Sequence, residues 1–213
     1  MTDQPQELRV GFHRDLDVTD QKVVRLFALV TEALAAANEA LLGDNTDALA
    51  TVRAGEKMID SLMLEIEGDI ERLLLLQSPM AGDLRYVLAI IRIVPELERS
   101  GDLAEHIAKR AGTGLVAQLT PAARGMLERM GTVGIELWRM AAHGFIERDP
   151  TAGERLEAAD DEVDDLHTRL TAELLAGDVS AGAAADATLV ARFYERLGDH
   201  AVHIAVRVAS AVS

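Results

Sequence analysis

Between Glu98 and Ala111 the chain reads ERSGDLAEHIAKRA, and between Glu195 and Val208 it reads ERLGDHAVHIAVRV, with nine of the fourteen positions identical. A charged segment copied at an offset of 97 residues restricts the chain to folds that use one unit twice. The period is too long for a solenoid, so a duplicated subdomain describes it better. A second match lies upstream. GEKMIDSL, with Glu56 and Asp60, falls over ADDEVDDL, with Asp160 and Asp164, at an offset of 104. Because the offsets differ by seven, the connection before the last helix should be about seven residues shorter in the second unit, with the QSPMAGD region trimmed.

Chain breakers divide the sequence into six helical stretches, at about 15–42, 47–77, 82–111, 121–148, 151–176 and 181–212. Aromatics at 3% beside abundant Ala and Leu favour helices over strands. Short connections make sequential helices antiparallel neighbours. The expected fold is all-α: two tandem three-helix repeats, 1–115 and 116–213, forming an elongated six-helix domain. Apolar seams are predicted at Leu97, Gly101, Ala104, Ala108 and Ala111 on the third helix, and at Tyr194, Gly198, Ala201, Ala205 and Val208 on the sixth.

Several function classes fall away on composition. A formal charge of −15 sets the chain against nucleic acid, whose binding depends on Lys and Arg, and towards cations or basic protein surfaces. No GxxxxGK phosphate loop occurs. The absence of cysteine removes disulfides and Cys-based zinc sites and suits a reducing cytoplasm. The N-terminal MTDQPQELRV lacks the order of a signal peptide. The richest apolar run, Tyr86 to Val94, is interrupted by Arg92 and is shorter than the roughly 20 residues of a bilayer span, so no membrane crossing is expected.

Glu98 and Asp102 lie just off the third helix's seam, with Glu105, His106 and Lys109 continuing that face, and Glu195, Asp199 and His203 repeat the stripe on the sixth. On the second helix Glu56, Asp60, Glu67 and Glu71 border the apolar arc of Ile59, Leu62, Ile66, Ile70 and Leu73. On the fifth, Asp160, Asp164 and His167 border Leu156, Val163, Leu166, Leu170 and Leu174. Acidic residues are common enough here that about six i, i+4 pairs arise by chance. Placement is the stronger signal: each unit sets one pair on its second helix and one on its third, beside the seam where they meet. Four converging carboxylates call for a cation, and nearby imidazoles favour iron, zinc or manganese over calcium.

At these residues the chain resembles the PhoU family, the accessory regulators of phosphate uptake. ELERSGD and YERLGDH look like its third-helix signature, and SPMAGDLR from Ser78 is similar to the lead-in of its first repeat. The resemblance implies one metal-cluster site of Glu56, Asp60, Glu98 and Asp102 and another of Asp160, Asp164, Glu195 and Asp199, with iron or zinc as the metal and His167 and His203 as further candidate ligands. It also implies a cytoplasmic negative regulator of phosphate uptake and starvation signalling, expected as a homodimer. Its partners would be the ATPase subunit of the phosphate ABC importer and a sensor histidine kinase, with membrane contact only through them. His106 and His203 stand where the family often has Asn, and Pro95 should kink the third helix ahead of its motif.

Two other classes compete. A carboxylate-bridged di-iron enzyme would need two Glu-x-x-His units pointing into one bundle, and only Asp164 with His167 resembles one. A metal-free helical interaction protein would leave the stripes as solvated faces. LLLL at 73–76 reads as core and helix end, and Met126, Met130, Trp138 and Met140 on the fourth helix read as core.

Overall fold

A computed structural model describes residues 4–43, 45, 47–76 and 79–212. Six long helices follow one another: α1 (Gln4–Gly43), α2 (Asp47–Leu76), α3 (Ala81–Ala108), α4 (Pro121–Glu147), α5 (Ala152–Ala176) and α6 (Ala181–Val212). No strand occurs among the described residues. The expected second-helix end at Gln77, and Ser78 with which SPMAG opens, lie outside the described residues, as do Asp44 and Thr46 of the first connection. The predicted start of the first helix at Asp15 is corrected to Gln4. The third helix ends at Ala108 rather than Ala111, because the chain turns through Gly112 and Gly114, both at positive φ (76° and 67°), where a residue without Cβ is unstrained.

Each half is a three-helix unit, and the halves join where α1 meets α4 and where α3 meets α6. One continuous apolar core runs through all six helices. The residues predicted to face inward do so: Ile59, Leu62, Ile66, Ile70 and Leu73 on α2, Leu156, Val163, Leu166, Leu170 and Leu174 on α5, and both small-residue seams are buried. Met130 and Trp138 are fully enclosed, while Met126 and Met140 pack on the core's edge. Of the four leucines at 73–76 only Leu73 is core; Leu75 and Leu76 are 83% and 70% exposed, which corrects the core reading of that run. The expected boundary after residue 115 falls in a packed turn, where Leu115 and Val116 are both buried.

Among the described residues the helix long and apolar enough by length and composition to cross a membrane is α1, over Arg9–Gly43, rather than the run at Tyr86 to Val94. Its apolarity is spread through alanines instead of massed in one run. Val23, Leu26, Phe27, Val30, Leu34 and Leu41 spend that apolar side on the core.

The seven-residue difference between the halves is matched by the helix lengths. The link from α5 to α6 runs over 177–180, and α3 begins at Ala81. Glu56 stands 20 residues before the end of α2 and Asp160 16 before the end of α5; Glu98 stands 17 after the start of α3 and Glu195 14 after the start of α6. The second unit is shorter by four residues in one helix and by three in the other. Each difference is about one turn of 3.6 residues, so every side chain keeps its face and only the hairpin's reach changes.

Polar contacts fasten the halves. Tyr194 Oη donates to Asn38 Oδ1 at 2.8 Å, linking α6 to α1. Arg148, in the left-handed region at φ 49°, closes the end of α4 and places its guanidinium 3.0 Å from Asp20 and 4.4 Å over the Tyr86 ring. Between α3 and α6, buried His200 has Nδ1 2.9 Å from Ser100 Oγ and Nε2 3.6 Å from Glu96. Pro95 lies within an uninterrupted α3.

Candidate metal centres on two acidic seams

In the second unit α5 brings Asp160 and Asp164 to the side of α6 that carries Glu195 and Asp199. Asp160 is buried, Asp164 exposed, and the other two half-buried. A Cβ added at Gly198 would meet Asp160 Oδ1 at 2.0 Å, so the carboxylate sits in space that only a glycine leaves free. Burial, and then the charges of Asp164, Asp199 and Glu195, push the Asp160 carboxyl up to about 7. Burial also raises Glu195, against the pull of Arg192, with which it forms an ion pair. Asp160 Oδ1 and Glu195 Oε2 are buried and lack a hydrogen-bond partner among the described residues.

In the first unit, Glu56 and Asp60 on α2 face Glu98 and Asp102 on α3. Burial raises Glu56, helped by Glu105, Asp102 and Asp60; burial raises Glu98, helped by Asp102 and Asp60. Glu105, which continues the acidic stripe of α3, is buried. Burial works against its charge, but Lys109 and Arg53 bind it, Arg53 Nε at 3.1 Å, and hold it below the usual carboxylate range. No such cations stand at the matching places of the second unit, where Glu157, Val202 and Val206 replace Arg53, Glu105 and Lys109. The second seam is therefore the more negative and the more strained by repulsion.

The eight predicted carboxylates thus form two electrostatic clusters. Among the described residues no three Asp, Glu or His side chains close into a shell that could hold an ion as they lie. Repulsion without a counter-charge keeps such groups apart. His167 is half-buried on α5, within electrostatic reach of Glu195; His203 is exposed on α6. His106 turns its Nδ1 to the Asp102 carbonyl at 2.7 Å and its ring to Phe193. Sequence reasoning missed the Ser100, His200 and Glu96 contact, since a pairing across 100 residues leaves no local spacing to find. The donor chemistry fits a cation in both seams, and in the second the two unpartnered oxygens fit one directly.

Residues 23–111 and again 127–208 match the family described as PhoU domain. A Mycobacterium tuberculosis protein named phosphate-specific transport system accessory protein PhoU homolog 2 is 34% identical over 94% of this chain and 96% of its own length. The Aquifex aeolicus PhoU homolog is 35% identical over 86% and 84%. The crystal structure of PhoU from Pseudomonas aeruginosa superposes with a TM-score of 0.88 at 24% identity, covering 94% of this chain and 98% of that one. The doubled motif, the six-helix architecture and these likenesses converge: the chain belongs to the PhoU family and carries its domain twice.

Proposed function

We propose that this chain is a non-enzymatic regulator of phosphate transport that binds metal at its two acidic seams and acts by occupancy. Relatives named as accessory proteins of a phosphate-specific transport system support the accessory role. In the fuller reading it is a cytoplasmic homodimer that restrains phosphate uptake and phosphate-starvation signalling. It stands between the ATPase subunit of the phosphate ABC importer and a sensor histidine kinase, and reaches the membrane through them.

The observation that carries the metal reading is the pair of buried, unpartnered oxygens on Asp160 and Glu195. Asp160, Asp164, Glu195 and Asp199, with His167 and His203, would hold an iron or zinc ion in the second seam; Glu56, Asp60, Glu98 and Asp102 would hold one in the first. The ion supplies positive charge that relieves carboxylate repulsion, so binding appears as added stability. The second seam should bind a transition metal more tightly, and lose it as acid protonates its ligands.

The test uses protein prepared without chelator or affinity metal. Iron and zinc content and melting temperature are measured for the parent, for Asp164→Asn with Asp199→Asn, and for Asp60→Asn with Asp102→Asn. The first double variant should lose more metal and more of the metal-induced rise. Equal content and equal shifts in all three would end the metal reading. For the regulatory reading, deleting the gene should derepress phosphate uptake in ample phosphate, and unchanged uptake would overturn it.

A further inference from the structure

The first half of α3 carries a surface that the matching stretch of α6 lacks. Leu84, Leu88 and Ile91 follow one another at spacings of four and three along the outside of α3, each 37–39% exposed. Arg85 and Arg92 flank them, both exposed and without a carboxylate partner among the described residues. Arg85, Leu88 and Arg92 border a groove of about 280 Å³ between α3 and α6, closed on the far side by Val206 and Arg207, and Leu84 and Ile91 extend its apolar rim. The matching positions on α6 are Ala181, Ala185 and Thr188 for the apolar row and Gly182 and Leu189 for the arginines, so the feature is not a by-product of the repeat.

We infer that this face of α3 is a docking groove for an amphipathic helix of a partner protein that presents apolar residues flanked by Asp and Glu. Charge decides the occupant. The one acidic residue a turn away from Arg92 is Glu96, and it is already engaged with His200 and Arg207. Two guanidiniums left unpaired in a chain of net charge −15 are available to outside carboxylates, bidentately and beside apolar surface that strengthens the contact. A second copy docked through the same face would set arginine against arginine, because a two-fold interface meets itself. An anionic bilayer would be repelled by the chain's net charge. The groove stands apart from the acidic seams and needs no metal, so the inference does not depend on the metal reading.

The probe is a fluorescein-labelled helical peptide of about 18 residues with leucines at i, i+4, i+7 and i+11 and glutamates beside them, compared with the same peptide carrying lysines. Fluorescence anisotropy with the full chain should show saturable binding of the Glu peptide, weakening as salt rises, and at least about tenfold weaker binding of the Lys peptide. Arg85→Glu with Arg92→Glu should invert that preference while circular dichroism and melting temperature match the parent. Arg85→Gln with Arg92→Gln, which removes the charge but keeps a polar side chain, should lose the Glu peptide by a similar factor without gaining the other. Equal binding of both peptides, no saturable binding of the Glu peptide, or parent-like binding by the Gln variant each overturns the inference. Co-sedimentation with equimolar phosphatidylcholine and phosphatidylserine vesicles that is abolished by the Glu variant would assign the face to membrane instead. A change of oligomeric state in that variant would assign it to a second copy.

Discussion

Asp160 concentrates the chemistry of the molecule in one carboxyl group. Burial and its acidic neighbours let it keep its proton to about pH 7, whereas an unfolded chain releases that proton near 3.8. The native state therefore binds more protons than the unfolded state between those values, and stability falls as pH rises through that window. In chelator, Asp160→Asn should match the parent only near pH 3.8 and exceed it by a growing margin above that, reaching about 2 kcal/mol at pH 8. That figure takes about 1.4 kcal/mol for each tenfold change in proton affinity and discounts it for solvent screening. Thermal unfolding at the two pH values checks this. A smaller decline should persist in the variant, because Glu56, Glu98 and Glu195 are shifted the same way. Saturating zinc should reverse the order, since the parent keeps the oxygen that the amide gives up. The placement of Asp160 beside Glu195 and Asp199 was legible from the doubled motif. Its depth was not, because depth depends on Gly198 standing opposite, and that closeness is a fact of tertiary packing.

At the scale of the helix, what spacing could reveal was local. Each seam obeys the period of 3.6 residues, so the buried side of α2, α3, α5 and α6 could be read directly. What escaped depended on two helices at once: Glu105 finding Arg53 on α2, His200 finding Ser100 across the duplication, and the difference of whole helical turns where a shorter connection was expected. Helix junctions of this kind are also where substitution should cost most. A Cβ at Gly131 on α4 would fall 2.1 Å from Asn38 Oδ1, the atom that accepts the buried Tyr194 hydroxyl. Gly131→Ala should thus cost about 1–3 kcal/mol in urea unfolding despite the gain in helix propensity. Gly101→Ala meets only the end of the Ile59 side chain, 2.8 Å away, and should cost less. Equal losses in the two variants would show that the Asn38 contact contributes little.

Across the whole molecule the two copies behave as one body, because α1 packs on α4 and α3 on α6 within a single core. Residues 1–115 produced alone should show helix by circular dichroism but no cooperative melting, and adding the separate 116–213 fragment should restore a transition. A sharp melt of the first fragment by itself would show that the duplication still consists of two independent units. Internal charge repulsion belongs to this scale as well: with net charge −15, the metal-free protein should gain melting temperature as sodium chloride rises, since screening weakens repulsion that falls off over about a Debye length. The joining of α3 to α6 also bears on how the protein is made. A ribosome adding roughly 5 to 20 residues each second takes on the order of 5 to 20 s to complete the second half after the first has been synthesised. Throughout that interval the nascent first half lacks the surface it must close against. Its leucine-rich and alanine-rich sides stay uncovered, so chaperones that shield growing chains should be most needed for this protein before α6 emerges.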